Sequence, residues 1–440
     1  MTEQKDTHYH HSMLSVEDAF DRIVGSFNAL EVEFKSARDA VGQVLAEDIS
    51  SPLDIPALDN SAMDGYAIQA DSIKGASESS LVILKVVGSV AAGEMPKDKV
   101  VRGTAVRIMT GAPMPPGADS VVPFEETDEH DRRTRHHSMG EIGIRRKVES
   151  GNSVRPAGQD VVKGQKVLSS GKVIRPAEVG VLSSMGFSKV PVVRRPVVAI
   201  LATGDELVEP GLPLSPGKIY DSNSSSITAA VQRAGGVAKP VGIAKDNLES
   251  LNHKIDEGLQ ADMLITSAGV SKGDYDIVKD VLAQRGEIEI WSVRMRPAKP
   301  LAFGLMTRAD GKQIPHLGLP GNPVSAMVAF EQFGEPAIRK MLGLKDLKRP
   351  TIEAILDDDL HNSDGRRVYA RVVVSNRDGA YHARLTGAQG SNLLTSMARA
   401  NGLAICPENI SVRRAGEIVT VQMIDWPPGV FWSNISLEEN

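Results

Sequence analysis

A chain of 440 residues exceeds the roughly 100–200 residues that one hydrophobic core serves, so three or four units are expected. Hydrophobic residues make up 41% and charged residues 24%, and a formal net charge of -6 supplies no basic field for nucleic acid. The single cysteine, Cys406, excludes an internal disulfide and a cysteine-built zinc site; MTEQKDTHYHHSM lacks a signal-peptide apolar core, and no run of about 18 apolar residues could span a bilayer, so a cytoplasmic location is expected.

Residues 13–48 read as a helix pair, with Ser15 as cap, Asp18 three residues on, and Ala19, Phe20, Ile23 and Val24 at helical spacing. The loop LDNSAMDGYAI follows. Taken alone its residues suit an Asx-rich turn, with Gly65 letting the backbone reverse; only beside the motifs TGDE, SKGD and GLPGNP further along does Asp59, rather than Asp64, become a carboxylate to present. From Ile68 to about Val148 the apolar runs are short and broken by Gly and Pro, which predicts small β-hairpins. Within them the charge-dense stretch DEHDRRTRHHSMGEIGIRRK reads as a solvated hairpin tip. The spacing of His130, His136 and His137 matches no metal-ligand template, and His8, His10 and His11 are discounted likewise.

RPAEVGVLSSMG predicts a helix that stops at Gly186. Beyond it, apolar runs PVVAILAT, VAKPVGI and DMLITSAG alternate with the helical segments SSSITAAVQRAG and LESLNHKIDEGL, the pattern of a doubly wound, mostly parallel sheet. Ligands of such sheets lie beyond the carboxyl ends of the strands. TGDE (203–206), SAGVSKGD (267–274), MRPAKP (295–300) and GLPGNP (318–323) fall there. In GLPGNPVSA, Asn322 is a candidate N-cap and Pro323 a candidate first helical residue, leaving N–H groups for an anion; no nucleotide P-loop and no dinucleotide fingerprint occurs. The last hundred residues consist of short β-rich runs with Gly turns, which predicts a compact barrel.

TGDEL, SAGVSKGD and GLPGNPVSA together resemble the molybdopterin-binding module of molybdenum cofactor assembly. With DNSAMDGYA and RIMTGAPMPPGAD ahead of them, the whole chain is similar to the molybdopterin molybdenumtransferase family. The fold this implies is multidomain α/β: a central doubly wound molybdopterin-binding module, an N-terminal helical/β region with an inserted β-rich lobe, and a C-terminal small β-barrel. The expected boundaries are 1–54 with 150–192, 55–149, 193–344 and 345–430. The implied reaction is Mg²⁺-assisted insertion of molybdate into adenylylated molybdopterin with loss of AMP, in a homodimer supplied by molybdopterin adenylyltransferase.

Carried over by motif, the resemblance places Arg296, Lys299, Ser325, Arg371 and Ser391 on molybdate, and Glu206 and Asp274 on the metal. It places Thr110, Arg155, Asp205, Asp221, Asp246, Gly269, Ser271, Pro320, Gly321, Asn322 and Pro323 on the substrate, with Asp59, Asp160, Glu206 and Asp274 as catalytic carboxylates. Arg and Lys suit an oxyanion, and carboxylates suit Mg²⁺. Three departures stand out: Arg296 and Ala298 replace the Lys and Gly of a KPGKP-like loop, Gln159 replaces a Glu, and the SKGD loop is two residues shorter. A tungstate-inserting version, a nonenzymatic cofactor scaffold and an adenylyltransferase are the competing readings. The last leaves residues 1–190 and 345–440 without a role.

Overall fold

The structure is a computed structural model that describes residues 13–245, 247–267, 281 and 285–425. It divides into two compact units. One comprises residues 1–34, 42–46 and 191–440, the other 35–41 and 47–190.

In the first unit the helix Val16–Gly25 starts where Ser15 accepts the Asp18 N–H at 2.9 Å, and buries Val16, Ala19, Ile23 and Val24. The second helix of the expected pair does not form. Val32–Ser36 is a strand, followed by turns, because Val32 and Phe34 alternate with charged residues at period two rather than at helical spacing.

The sheet of this unit runs in the order Val237–Ala244, Val197–Thr203, Met263–Ser267, Gln313–Leu319, Pro300–Thr307, Gly286–Ser292. The first four strands are parallel. Met263–Ser267 is buried along its whole length, as helices on both faces require. Asp221 caps the helix Ser222–Arg233 by accepting the Ser224 N–H at 3.0 Å, and Asn247 caps Leu248–Gly258 through the Ser250 N–H at 2.9 Å. Leu251, Ile255 and Leu259 pack on Ala199, Leu201 and Leu264. The last two strands are antiparallel, so the sheet is mixed at one edge. Residues 308–312, with Gly311 at φ 86, form a hairpin too short for the crossover that a parallel pair needs.

Past Leu319 the chain enters the helix Pro323–Ala329, which continues through a π-helical turn, Phe330–Gly334, into Glu335–Met341. The C-terminal strands then close a five-stranded barrel: Arg367–Arg377, Ala380–Leu385, Thr351–Leu356, Ile418–Met423, Gly402–Cys406 and back to Arg367–Arg377. Val372, Ala404, Val421 and the free Cys406 fill its core. The pair Met295–Arg296 joins the edge of this barrel, parallel to Arg367 and Val368. It places the 295–300 loop against the barrel.

The second unit is built on a sheet ordered Ser120–Pro123, Gly65–Ile68, Thr104–Ile108, Val82–Val90, Glu141–Ile144. Gly65 is required for a reason other than chain reversal. It opens a strand, and a Cβ there would stand 2.1 Å from the Val122 carbonyl oxygen. The charge-dense stretch expected as a hairpin tip contains the helix Glu129–Thr134. Asp128–Arg132 and Glu129–Arg133 form i,i+4 ion pairs, and the buried Glu129 carboxylate also takes Arg107 at 3.0 Å. Pro176–Ser184 is helical, closed by Gly186 at φ 81.

Candidate functional site

Each unit carries its own cluster of the residues singled out from the sequence. In the first, Val197–Thr203 ends in Gly204, at φ 142, and the exposed pair Asp205 and Glu206. The Glu206 carboxylate lies over the Gly204 Cα, so that a side chain at 204 would collide with it. The Lys218 ammonium donates to the Asp205 carbonyl at 2.6 Å. No helix follows; Leu207–Val208 is a strand, so helix-terminal N–H groups do not account for Glu206. Asp221 is buried, and one of its carboxylate oxygens caps the helix that follows. Asp246, Gly269, Ser271 and Asp274 lie outside the described residues.

Sequence reasoning passed over Asn223. Its Nδ2 donates to the Ser267 hydroxyl at 2.7 Å and to the Gly321 carbonyl at 2.8 Å, tying the end of Met263–Ser267 to the GLPGNP turn. The available signal was a polar residue at 223 in register with the buried Ile227 and Val231 of the same helix. In GLPGNP itself Gly321 and Asn322 are exposed, Pro320 is buried, and Pro323 is the first helical residue. Asn322 occupies the cap position without a side-chain cap bond. The Val324 N–H donates to the Ser391 carbonyl at 3.1 Å, which brings Ser391 to the helix turn that holds the buried Ser325.

The 295–300 loop is tight: Arg296–Pro297 is cis, the Val293 N–H donates to the Lys299 carbonyl at 2.8 Å, and the buried Ala298 sits at φ 73. A left-handed conformation costs a Cβ-bearing residue about 1–2 kcal/mol relative to glycine. Ala298→Gly is therefore expected to raise stability by about 1 kcal/mol, read as a higher urea midpoint at unchanged slope. Lys299 is exposed. Arg296 reaches the barrel instead, donating to the His361 carbonyl at 2.9 Å and the Ser363 hydroxyl at 3.3 Å, with Asp364 at 3.7 Å. Arg371 is the largest fully buried side chain among the described residues, 1% exposed. Its Nε donates to Ser396 Oγ and its Nη2 to the Gly390 carbonyl, both at 3.0 Å, and Gln389 accepts its backbone N–H. Among the described residues no carboxylate pairs with it, and burial pushes its pKa down to about 10. Arg296, Pro297, His361, Tyr369, Arg371 and Gln389 line one cavity of about 360 Å³.

In the second unit, segments far apart in sequence meet. Asn60–Ser61 pairs with Val154–Arg155, and the Met114 N–H donates to the Asp59 carbonyl at 2.9 Å. The exposed Asp59 carboxylate accepts the Ala157 N–H at 2.7 Å, and the exposed Asp160 follows, its N–H bonded to Ile55. Thr110 is held by Asp64, whose carboxylate accepts both its N–H, at 2.7 Å, and its hydroxyl, at 2.8 Å. Those bonds keep the Asp64 carboxyl below its usual pKa. Asp59, Thr110, Arg155 and Asp160 thus share one surface region, and Asp64 serves to fix it. Among the described residues no group of three or more His, Cys, Asp or Glu could hold a metal by itself, and no helix is long and apolar enough to cross a membrane.

Comparison with known proteins finds matches over most of the chain. Residues 14–186 match the MoeA N-terminal region (domain I and II), 199–340 the probable molybdopterin binding domain, and 353–424 the MoeA C-terminal region (domain IV). The chain is 38% identical to molybdopterin molybdenumtransferase 2 of Mycobacterium tuberculosis, over 86% of this chain and 91% of that protein. It is 32% identical to the molybdopterin molybdenumtransferase of Bacillus subtilis, over 96% and 97%. A crystal structure of the molybdopterin biosynthesis MoeA protein from Pyrococcus horikoshii superposes with a TM-score of 0.79 at 33% identity, covering 94% of this chain and 100% of that one. The chain belongs to the molybdopterin molybdenumtransferase family, transferases of molybdenum cofactor biosynthesis.

Proposed function

We propose that the protein inserts molybdate into adenylylated molybdopterin, cleaving the phosphoanhydride and releasing AMP. The observation that carries this reading is Arg371. A buried guanidinium without a carboxylate partner among the described residues retains a net positive charge that an anionic substrate would neutralise. The cavity it lines also holds Arg296, which is oriented by His361 and Ser363. Lys299, Ser325 and Ser391 complete an oxyanion set of charge and hydroxyl groups.

The second substrate bears phosphates. Asp205 and Glu206 offer hard oxygen donors at a strand end, and Mg²⁺ characteristically takes one or two carboxylates and completes its shell with water and substrate phosphate. The donor set therefore fits Mg²⁺, with Asp205 and Glu206 as the residues that would hold it. When bound, the ion neutralises charge on the phosphate oxygens. Asp59 and Asp160 are the bases of this reading: exposed carboxylates on one surface region, the first oriented by the Ala157 N–H.

The test is AMP release from adenylylated molybdopterin with Mg²⁺ and either molybdate or tungstate, followed together with formation of active cofactor. Absence of AMP release with both oxyanions overturns the reading. Asp59→Asn is expected to slow release at least 10-fold while the melting temperature stays put, because the amide oxygen still accepts the Ala157 N–H. A wild-type rate in that variant removes Asp59 from the chemistry.

A further inference from the structure

Asn223 stands out among buried polar residues. It occupies the core-facing side of the helix Ser222–Arg233, 9% exposed, where an apolar residue would satisfy packing. Both of its bonds are made by Nδ2, to Ser267 Oγ and to the Gly321 carbonyl; Ser267 is the last residue of one sheet strand and Gly321 lies two residues past the end of another. Its Oδ1 is buried with no partner among the described residues. A buried acceptor left unpaired costs stability, so the two bonds Asn223 makes are offset by the one it lacks. Its contribution is then geometric: it sets the GLPGNP turn against the exit of Met263–Ser267.

The turn is held at two points. Asn223 takes the Gly321 carbonyl, and Ser391 takes the Val324 N–H three residues on. The second point belongs to the Ser325 and Ser391 end, which faces the barrel cluster around Arg371. The first lies on the side of the parallel strands, where ligands of such sheets bind, and fixing a carbonyl fixes the peptide plane and hence the direction of the N–H that follows. We propose that Asn223 is a positioning residue for the phosphate-bearing substrate and not for the oxyanion: by locking the Gly321 carbonyl it aims the backbone N–H groups of the Gly321–Asn322 turn at substrate phosphate. This rests on the function proposed above.

The test is equilibrium titration of the full-length protein with adenylylated molybdopterin, alongside the half-saturating molybdate concentration for AMP release and the melting temperature. Asn223→Ala is expected to weaken adenylylated molybdopterin binding at least 10-fold, to leave half-saturating molybdate within threefold, and to change the melting temperature little. Asn223→Asp keeps the volume and the Ser267 link, with the hydroxyl now donating, but cannot donate to Gly321. It is expected to show the same split, and it decides the matter if the alanine variant does not fold. A lower melting temperature with unchanged binding, or equal weakening toward both substrates, overturns the inference. If the wild-type protein itself does not bind adenylylated molybdopterin, the proposed function fails instead.

Discussion

Arg371→Met is expected to raise the half-saturating molybdate concentration for AMP release by roughly 10-fold to 100-fold while the protein stays folded. The magnitude follows from the charge: hydrogen bonds to a charged group contribute about 1.5–3 kcal/mol, and every 1.4 kcal/mol is a factor of ten. The fold is expected to survive for the same reason that Arg371 is informative. Removing one member of a buried ion pair leaves an uncompensated charge and costs about 3–5 kcal/mol, but Arg371 has no carboxylate partner among the described residues to strand. Methionine fills similar space and surrenders only the bonds to Ser396 and Gly390, against relief of burying a guanidinium. Arg371→Lys retains charge without the planar fork and should fall between the two. The measurements are AMP release against molybdate concentration and urea unfolding. An unchanged molybdate response in a folded Arg371→Met variant would falsify the assignment.

Acid sensitivity is the second large effect, and it is expected from His316. This residue lies fully buried on the strand that leads into GLPGNP, its Nε2 2.9 Å from Thr266 Oγ1 and its Nδ1 without a partner among the described residues. Burial pushes its pKa down to about 3, from an ordinary 6.5. Below about pH 6.5 the unfolded chain takes up a proton that the folded chain refuses, so stability falls with pH down to about 3; above 6.5 neither state binds it and the penalty vanishes. Between about pH 7.5 and 5.5 this one group should remove about 1.4 kcal/mol. His316→Gln retains a hydrogen-bonding group for Thr266 and does not titrate, so its stability should decline less over that interval by this amount. Urea unfolding at the two pH values decides it, and parallel losses in both proteins would exclude His316 as the source.

Much of the α/β module was legible because its signals are local. Strand runs such as VVAILAT and the helical segments SSSITAAVQRAG and LESLNHKIDEGL each involve groups within a few residues of one another, as do the cap at Ser15 and the stop at Gly186 in the N-terminal part of the chain. Past Gly25 the helical expectation fails, because Val32 and Phe34 alternate with charged residues at the period of a strand. The candidate site was half legible. Motif spacing pointed to Arg296, Lys299 and GLPGNP, but not to the company they keep.

Sequence alone therefore determined the alternation of strands and helices, the cap at Ser15, the stop at Gly186, the motif resemblance and the candidate residues. Tertiary structure decided what surrounds them. Closure of the barrel buries Arg371 and adds Met295–Arg296 to its edge; the 55–61, 110–114 and 153–160 segments meet only when the second unit folds; and Asn223 becomes a clamp only because strand order places Ser267 next to the strand that precedes Gly321. The physical reason is common to all three: burial, partners and charge environment depend on contacts between segments 25 to 98 residues apart, and no local pattern encodes which segments those are.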